Sequence, residues 1–368
     1  MDFALDDEQN MIVQTVKRFS DRDLRGWTAD ADRTGVAPDR LTAAAKDLGF
    51  FVDGVPADAD GLLDGSYSHT NRALRGFELG RGCAGLAALL ETNVEPALAV
   101  GKWGSTAVKQ AMFGALASGG LAVLAHDSRG TLEIGEAGGE LRVTGKLGPL
   151  PALAVASHAV VIAKDVLFVV ALDARSTVRR EAMTPSGWRA AKWGTAQLDG
   201  HRIAPDHVLA RGVAAAAASA EVLAWARVSL AARAVGVATA AMDHAEQYGI
   251  ERVQFGQQIG TFESLIRLLD DARTTAFAAR VFTLQAASAI DRDLATAGDL
   301  ASRARVLAGD AVTRATIDAV QMYGGYGFVN DYPVEKLMRD ARAFEVLHGD
   351  ERLGRVLAYK ASRVAGKD

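Results

Sequence analysis

The chain has 368 residues, 49% hydrophobic and 23% charged, with 41 basic against 45 acidic side chains and a formal net charge of -4. That near-balance excludes a strongly basic nucleic-acid-binding protein, and the length exceeds what one core usually fills, so two or three packed layers are expected. A single cysteine, Cys83, excludes an internal disulfide framework.

The acidic opening MDFALDDEQN lacks the character of a secretory signal or transit peptide. No apolar run reads as long enough to span a membrane, so a cytoplasmic protein is expected. Asp6 and Gln9 have capping-box spacing ahead of Met11, Ile12, Val16 and Phe19, which share one helical face. Helical pattern recurs at about 40–48, 70–90 and 104–117. From about 121 the texture becomes short β-branched runs (LAVLAH, ELRVTGK, HAVVIAK, VLFVVALD) set between glycine, proline and aspartate, and these read as strands. Helical stretches return at roughly 216–249, 261–291, 293–322 and 333–345, with a last one from about 350. The expected organisation is α+β and mostly α: a helical domain at 1–120, a β domain at 121–211 and a helical bundle at 212–368. The alanine-rich helices of the last block suit close axial approach.

No pair of histidines has metal-ligand spacing and Cys83 has no close partner, so no metal site is expected. Arg252, in ERVQFG, closes a long helical stretch before a glycine turn, where its guanidinium fork is suited to a phosphate or carboxylate. A surface arginine near a helix end is the plainer reading of that stretch alone. QMYGGYGF supplies Gln321, Gly324 and Gly325, and EKLMRDAR follows at 335–342.

Together these three stretches, and the helical, β, helical layout, resemble the acyl-CoA dehydrogenase family over essentially the whole chain. The resemblance implies a middle β-sandwich or barrel and a C-terminal four-helix bundle, with FAD extended along a subunit interface and electrons taken from an acyl-CoA thioester. It assigns the contacts lent to a neighbouring subunit's FAD to Arg252, Gln254, Phe255, Gln321, Gly324 and Gly325. Where the family carries its catalytic glutamate, followed by Gly-Thr and a glutamine, this chain has His348, Gly349, Asp350 and Gly354. The alternative glutamate position, on an earlier helix, falls on Ala226 beside Trp225. In the β block, AHDSRG at 125–130 matches the family's flavin loop only loosely, and Gly148, Pro149 and Leu150 stand for its Trp-Ile-Thr/Ser. A shift of register would bring Thr144 or Ser157 to that contact.

His348 has the ordinary pKa to accept a proton near neutrality, but Asp350 and Glu351 are expected to favour its charged form. The chain therefore reads as a non-catalytic subunit with no catalytic residue of its own. It would lend contacts to a homologous catalytic chain, with an acyl-CoA as substrate and an electron-transfer flavoprotein or similar protein as acceptor. Mixed assemblies of two copies of each subunit are known in this family among actinobacterial steroid side-chain degraders, which suggests a steroid side-chain CoA. The alternatives are a flavin-dependent monooxygenase on the same fold, using His348, and a structural protein that binds no flavin.

Overall fold

The structure, a computed structural model, describes residues 4–174 and 176–348. The helix expected from about 350, with Gly349, Asp350, Glu351 and Gly354, lies outside the described residues.

Helix α1 (Asp7–Phe19) opens with the capping box read from sequence. Asp6 accepts from the Gln9 amide at 2.8 Å, and the Gln9 side chain accepts from the Asp6 amide at 3.2 Å. A π-helical turn at Ser20–Leu24 carries the chain into α2 (Arg25–Thr34), which ends on left-handed Gly35. After α3 (Asp39–Asp47) comes the buried α4 (His69–Leu90). Helix α5 (Val94–Trp103) was not expected from sequence: nearly all of it is buried, so it lacks the polar face that marks a helix by periodicity. Helix α6 (Thr106–Ala117) follows, capped by Ser105.

The β block makes two four-stranded sheets. In one, β1 (Ala122–His126), β4 (His158–Ala163), β5 (Val166–Ala171) and β8 (Val208–Arg211) lie in the order β1-β4-β5-β8, with β1 and β4 parallel. Its alternation is strict. Ala159, Val161, Phe168 and Val170 face the main core, while Val160, Ile162, Leu167 and Val169 pack with Val100, Met112 and Leu116 of α5 and α6. The other sheet is antiparallel, in the order β2-β3-β7-β6, from β2 (Glu133–Ala137), β3 (Glu140–Leu150), β6 (Val178–Ala182) and β7 (Gly194–Ile203). Its edge strands β2 and β6 are mostly exposed and carry little apolar signal, so sequence reading passed over both.

The last block packs α7 (Gly212–Glu251), α8 (Glu263–Asp291), α9 (Ala297–Tyr323) and α10 (Pro333–Phe344) around α7. One expectation is corrected here: α7 is long and apolar enough to cross a membrane by length and composition. In this fold 67% of its apolar window is buried inside the protein, where it serves as the central core helix. It meets α4 backbone to backbone. A Cβ on Gly80 would lie 2.3 Å from the Arg233 carbonyl oxygen, and one on Gly236 would lie 2.2 Å from that of Phe77. This crossing fixes what α4 and α7 present to each other on either side of it.

Candidate functional site

Two regions bear on function, and they are built in opposite ways. The first lies at the carboxyl ends of α7 and α9. Arg252 is the C-cap of α7, and its carbonyl accepts from the Ile259 amide at 2.8 Å. Between them a hairpin of Val253–Gln254 and Gln257–Gln258 turns on Phe255 and Gly256, both with positive φ (54° and 84°). That turn thrusts the Phe255 ring into solvent at 92% exposure, with only the edge of Phe262 beside it. Val253 beside it in the hairpin, and Tyr326 and Val329 of the adjoining cleft, are exposed as well, an apolar patch suited to a contact outside the chain.

Across from the hairpin, α9 ends at Tyr323 and passes into a short 3-10 turn at Gly324–Phe328. Arg252, Gln254, Gln321, Gly324 and Gly325 line one open cleft of about 430 Å³. The Arg252 guanidinium lies 5.4 Å over the Tyr326 ring, and no hydrogen bond or ion pair holds it among the described residues. A Cβ at Gly324 or Gly325 would meet nothing within 4 Å, whereas at Gly327 it would strike the Val320 carbonyl at 2.6 Å. Gly327 is therefore a packing glycine. Gly324 and Gly325 leave backbone bare toward the cleft, where a ligand can approach closely. An unpaired guanidinium, two side-chain amides, bare backbone and an exposed ring suit a diphosphate joined to a heterocycle. This region fits the nucleotide end of FAD.

Tyr326 was not singled out from sequence, although its place between two glycines in YGGYGF was a signal. It belongs with Tyr248, Tyr323 and Tyr332 to an aromatic cluster that stiffens the cleft floor; Tyr248 and Tyr323 stack at 4.0 Å.

The second region lies where α4, α5, α7, β1 and the end of α10 meet. The two positions that the resemblance assigns to a catalytic base, Ala226 and His348, are far apart in sequence yet line one cavity of about 50 Å³. That volume holds a water or two, not a thioester or a flavin ring. Glu91, Glu95 and Arg233 project into it, with Trp188 and Leu150 as further walls. Behind them Arg72 pairs with Glu95 at 2.9 Å, Arg75 with Glu91 at 3.1 Å, and Arg233 reaches Glu91 at 3.8 Å. The Tyr67 hydroxyl donates to Asp53 at 2.9 Å. Burial works against the charge of Asp53, yet Arg75 and Arg72 hold its carboxyl below the usual range. The same burial, with Asp53 beside it, drives the Tyr67 phenol well up. Charges inside otherwise apolar helical runs, as in LLETNVEP and WARVSLAAR, were the signal for this network, and sequence reading missed it.

His348 is in a left-handed conformation (φ 52°) and its Nδ1 has no partner among the described residues. The expectation of a charged imidazole is corrected. Burial, then His126, Arg233, Arg227 and Arg305, push its pKa down to about 3. So weak a base cannot take an α-proton usefully at neutral pH.

In the β block, the described residues at the positions weighed for a flavin contact are engaged elsewhere. Leu150 is a wall of the closed cavity, and Asp127 spends both carboxylate oxygens on the amides of Thr131 and Leu132. Both hydroxyls that a register shift would recruit are engaged. Thr144 accepts from the Gly200 amide at 3.0 Å, and Ser157 bonds the Leu121 carbonyl and His158. The residues present do not fit an isoalloxazine ring here.

The EKLMRDAR stretch is structural. Arg339 ties α10 to Asp32 of α2 and to the Ser186 carbonyl, while Asp340 pairs with Lys336 and accepts from the Trp188 amide at 2.8 Å. Trp188 packs edge-on against Phe344 at 4.8 Å. This clamp holds Trp188 in the wall of the closed cavity.

Comparison with known proteins agrees with the fold. The family model for the acyl-CoA dehydrogenase N-terminal domain matches residues 6–120, and that for the C-terminal domain matches residues 211–361. An acyl-CoA dehydrogenase of Bacillus subtilis (strain 168) is 42% identical over 134 residues, 36% of this chain and 35% of that protein. The first several curated relatives are likewise matched over about a third of their length. The probable acyl-CoA dehydrogenase YngJ of the same Bacillus is 27% identical over 97% of this chain and 98% of its own. Butyryl-CoA dehydrogenase of Megasphaera elsdenii shares the fold with a TM-score of 0.86 at 23% identity, covering 98% of this chain and 99% of that one. PigA with FAD and proline does so with a TM-score of 0.89 at 18% identity, covering 99% and 100%.

Proposed function

This chain belongs to the acyl-CoA dehydrogenase family, and from that premise we propose that it is the non-catalytic subunit of a heteromeric acyl-CoA dehydrogenase. A homologous partner with an intact glutamate carries the FAD and the thioester. Arg252, Gln254, Phe255, Gln321, Gly324 and Gly325 of this chain reach across the interface to the nucleotide end of that FAD. The flavin, when bound in the partner, supplies hydride acceptance from the β-carbon; this chain's residues supply charge and close backbone approach to its diphosphate. An electron-transfer flavoprotein or similar protein would be the electron acceptor of the complex, and a bulky steroid side-chain CoA would be its substrate class.

One observation carries this reading. The open cleft leaves Arg252 unpaired and the Phe255 ring bare, while both base positions of the same chain face a cavity of about 50 Å³ packed with charge. A monooxygenase built on His348 gains no support, because its imidazole has little basicity and little space.

The test is co-expression with candidate homologous dehydrogenase chains. The mixed complex is expected to hold one flavin for each pair of unlike chains, and Arg252→Ala in this chain alone is expected to deplete it. Unchanged flavin content in that variant would overturn the lending of contacts.

A further inference from the structure

We propose that the cavity between the amino end of α4 and the carboxyl end of α5 is a second ligand site, for a neutral fused aromatic ring bearing one hydroxyl or carbonyl group. It measures about 440 Å³, and Tyr67, His69, Leu98, Gly101, Trp225 and Ile290 are among its walls. Volumes of roughly 300–1,000 Å³, apolar with a few polar groups, are usual for small-molecule sites.

Its shape and chemistry select the ligand. Tyr67, His69, Trp225 and Trp103 form a ladder: Tyr67 is edge-on to His69 at 5.1 Å, His69 stacks on Trp225 at 5.6 Å, and Trp225 stacks on Trp103 at 6.0 Å. With their faces turned to one another, the inner rings offer edges to the cavity. Ring edges carry the positive end of the aromatic quadrupole and favour the flat face of an incoming ring.

Three of the four charges at the rim are engaged, and the fourth, Asp293, is exposed to solvent. Lys102 pairs with Glu221 at 2.6 Å, and Asp291 accepts from the amides of His69 and Thr70, closing the amino end of α4. The unmet polar group is the His69 ring. It is only 5% exposed, lines the cavity, and has no hydrogen-bond partner for either nitrogen among the described residues. Burial, with Arg72 nearby, keeps this imidazole neutral at a pKa of about 3, so it offers one donor and one acceptor and no charge. A ligand hydroxyl or carbonyl entering the cavity gives one of these nitrogens a partner.

The site is distinct from the small cavity at Ala226 and His348. Adjacent residues of α7 part to the two spaces, Trp225 to this one and Ala226 to the other. The inference therefore does not rest on which chain carries flavin.

The probe is 2-naphthol, titrated calorimetrically into the full-length protein as it purifies. Saturable binding of one probe per chain is expected. His69→Phe keeps a ring in the ladder and removes the hydrogen bond, and is expected to weaken binding about 2- to 10-fold. Gly101→Leu tests the cavity separately, because Gly101 is one of its walls and a Cβ there has a single neighbour within 4 Å, Phe113 Cζ at 3.9 Å. Its added bulk is expected to cost about tenfold or more in affinity by occupying the ring's space. No saturable binding by the unmodified protein, or equal affinity in a folded Gly101→Leu variant, would overturn the proposal.

Discussion

The cleft around Arg252 and the cavity at Ala226 and His348 lie on the same long helix, one at its end and one near its middle, and they differ in what they leave unfinished. At the end, every group suited to a ligand points outward without a partner: an unpaired guanidinium, two exposed glutamines, glycines with open space above them and a bare phenylalanine. In the middle, Arg72, Arg75 and Arg233 are paired with Glu91 and Glu95, and little space is left. A surface that must meet another chain can leave contacts unmet until assembly. An interior cannot, because buried unpaired charge costs several kcal/mol.

The largest effect is expected from breaking the clamp that holds the closed region. Asp340→Ala strands Lys336 and the Trp188 amide in the interior and should cost roughly 3–5 kcal/mol in denaturant unfolding. A loss below about 1 kcal/mol would mean that the closed region is not held from α10.

Next comes the open region. Arg252→Ala removes charge-assisted contacts that are typically worth about 1.5–3 kcal/mol. Flavin in the mixed complex should then bind roughly 10- to 100-fold more weakly, as read by flavin release on dilution, with stability of the isolated chain unchanged.

A glycine pair sharpens the contrast. Gly80→Ala drives a Cβ into the Arg233 carbonyl and should destabilise by about 1–3 kcal/mol. Gly325→Ala has open space and should change stability by less than about 0.5 kcal/mol while weakening flavin binding in the complex. If the two variants melt alike, the assignment of packing and ligand-facing glycines fails.

The last effect is a slope with pH. His348 titrates near pH 3 in the fold against about 6.5 unfolded, so the unfolded chain binds more protons between those values. The contribution of its neutral form is complete above the unfolded pKa and is lost as pH falls toward the folded one. Between about pH 6 and 4, His348→Asn should lessen the fall in unfolding free energy by up to about 1.4 kcal/mol per pH unit. Parallel curves for variant and parent would place the ring in water.

Much of the open region was legible in sequence because its residues sit in short contiguous motifs. Arg252, Gln254 and Phe255 share one turn, and Gln321, Gly324 and Gly325 share one helix end. Counting from those motifs also put Ala226 and His348 where the resemblance assigns a catalytic base. Their convergence on one small cavity was not, since Ala226 and His348 are brought together only by packing across the bundle. Glu91, Glu95, Arg72, Arg75 and Arg233 come from three helices, and no local pattern pairs them. The charge state expected for His348 erred for the same reason. Sequence shows Asp350 and Glu351 beside it, while folding sets it among His126, Arg227 and Arg233 out of water. Helix α5 and strands β2 and β6 escaped because the first has no polar face and the others almost no buried one.

The most direct test of the central claim is flavin stoichiometry with acyl-CoA turnover, measured on this chain alone and on its complex with a homologous catalytic chain. The account predicts a colourless, inactive isolated chain and an active complex with one flavin per unlike pair. An isolated chain carrying one flavin per copy and oxidising an acyl-CoA unaided would contradict it.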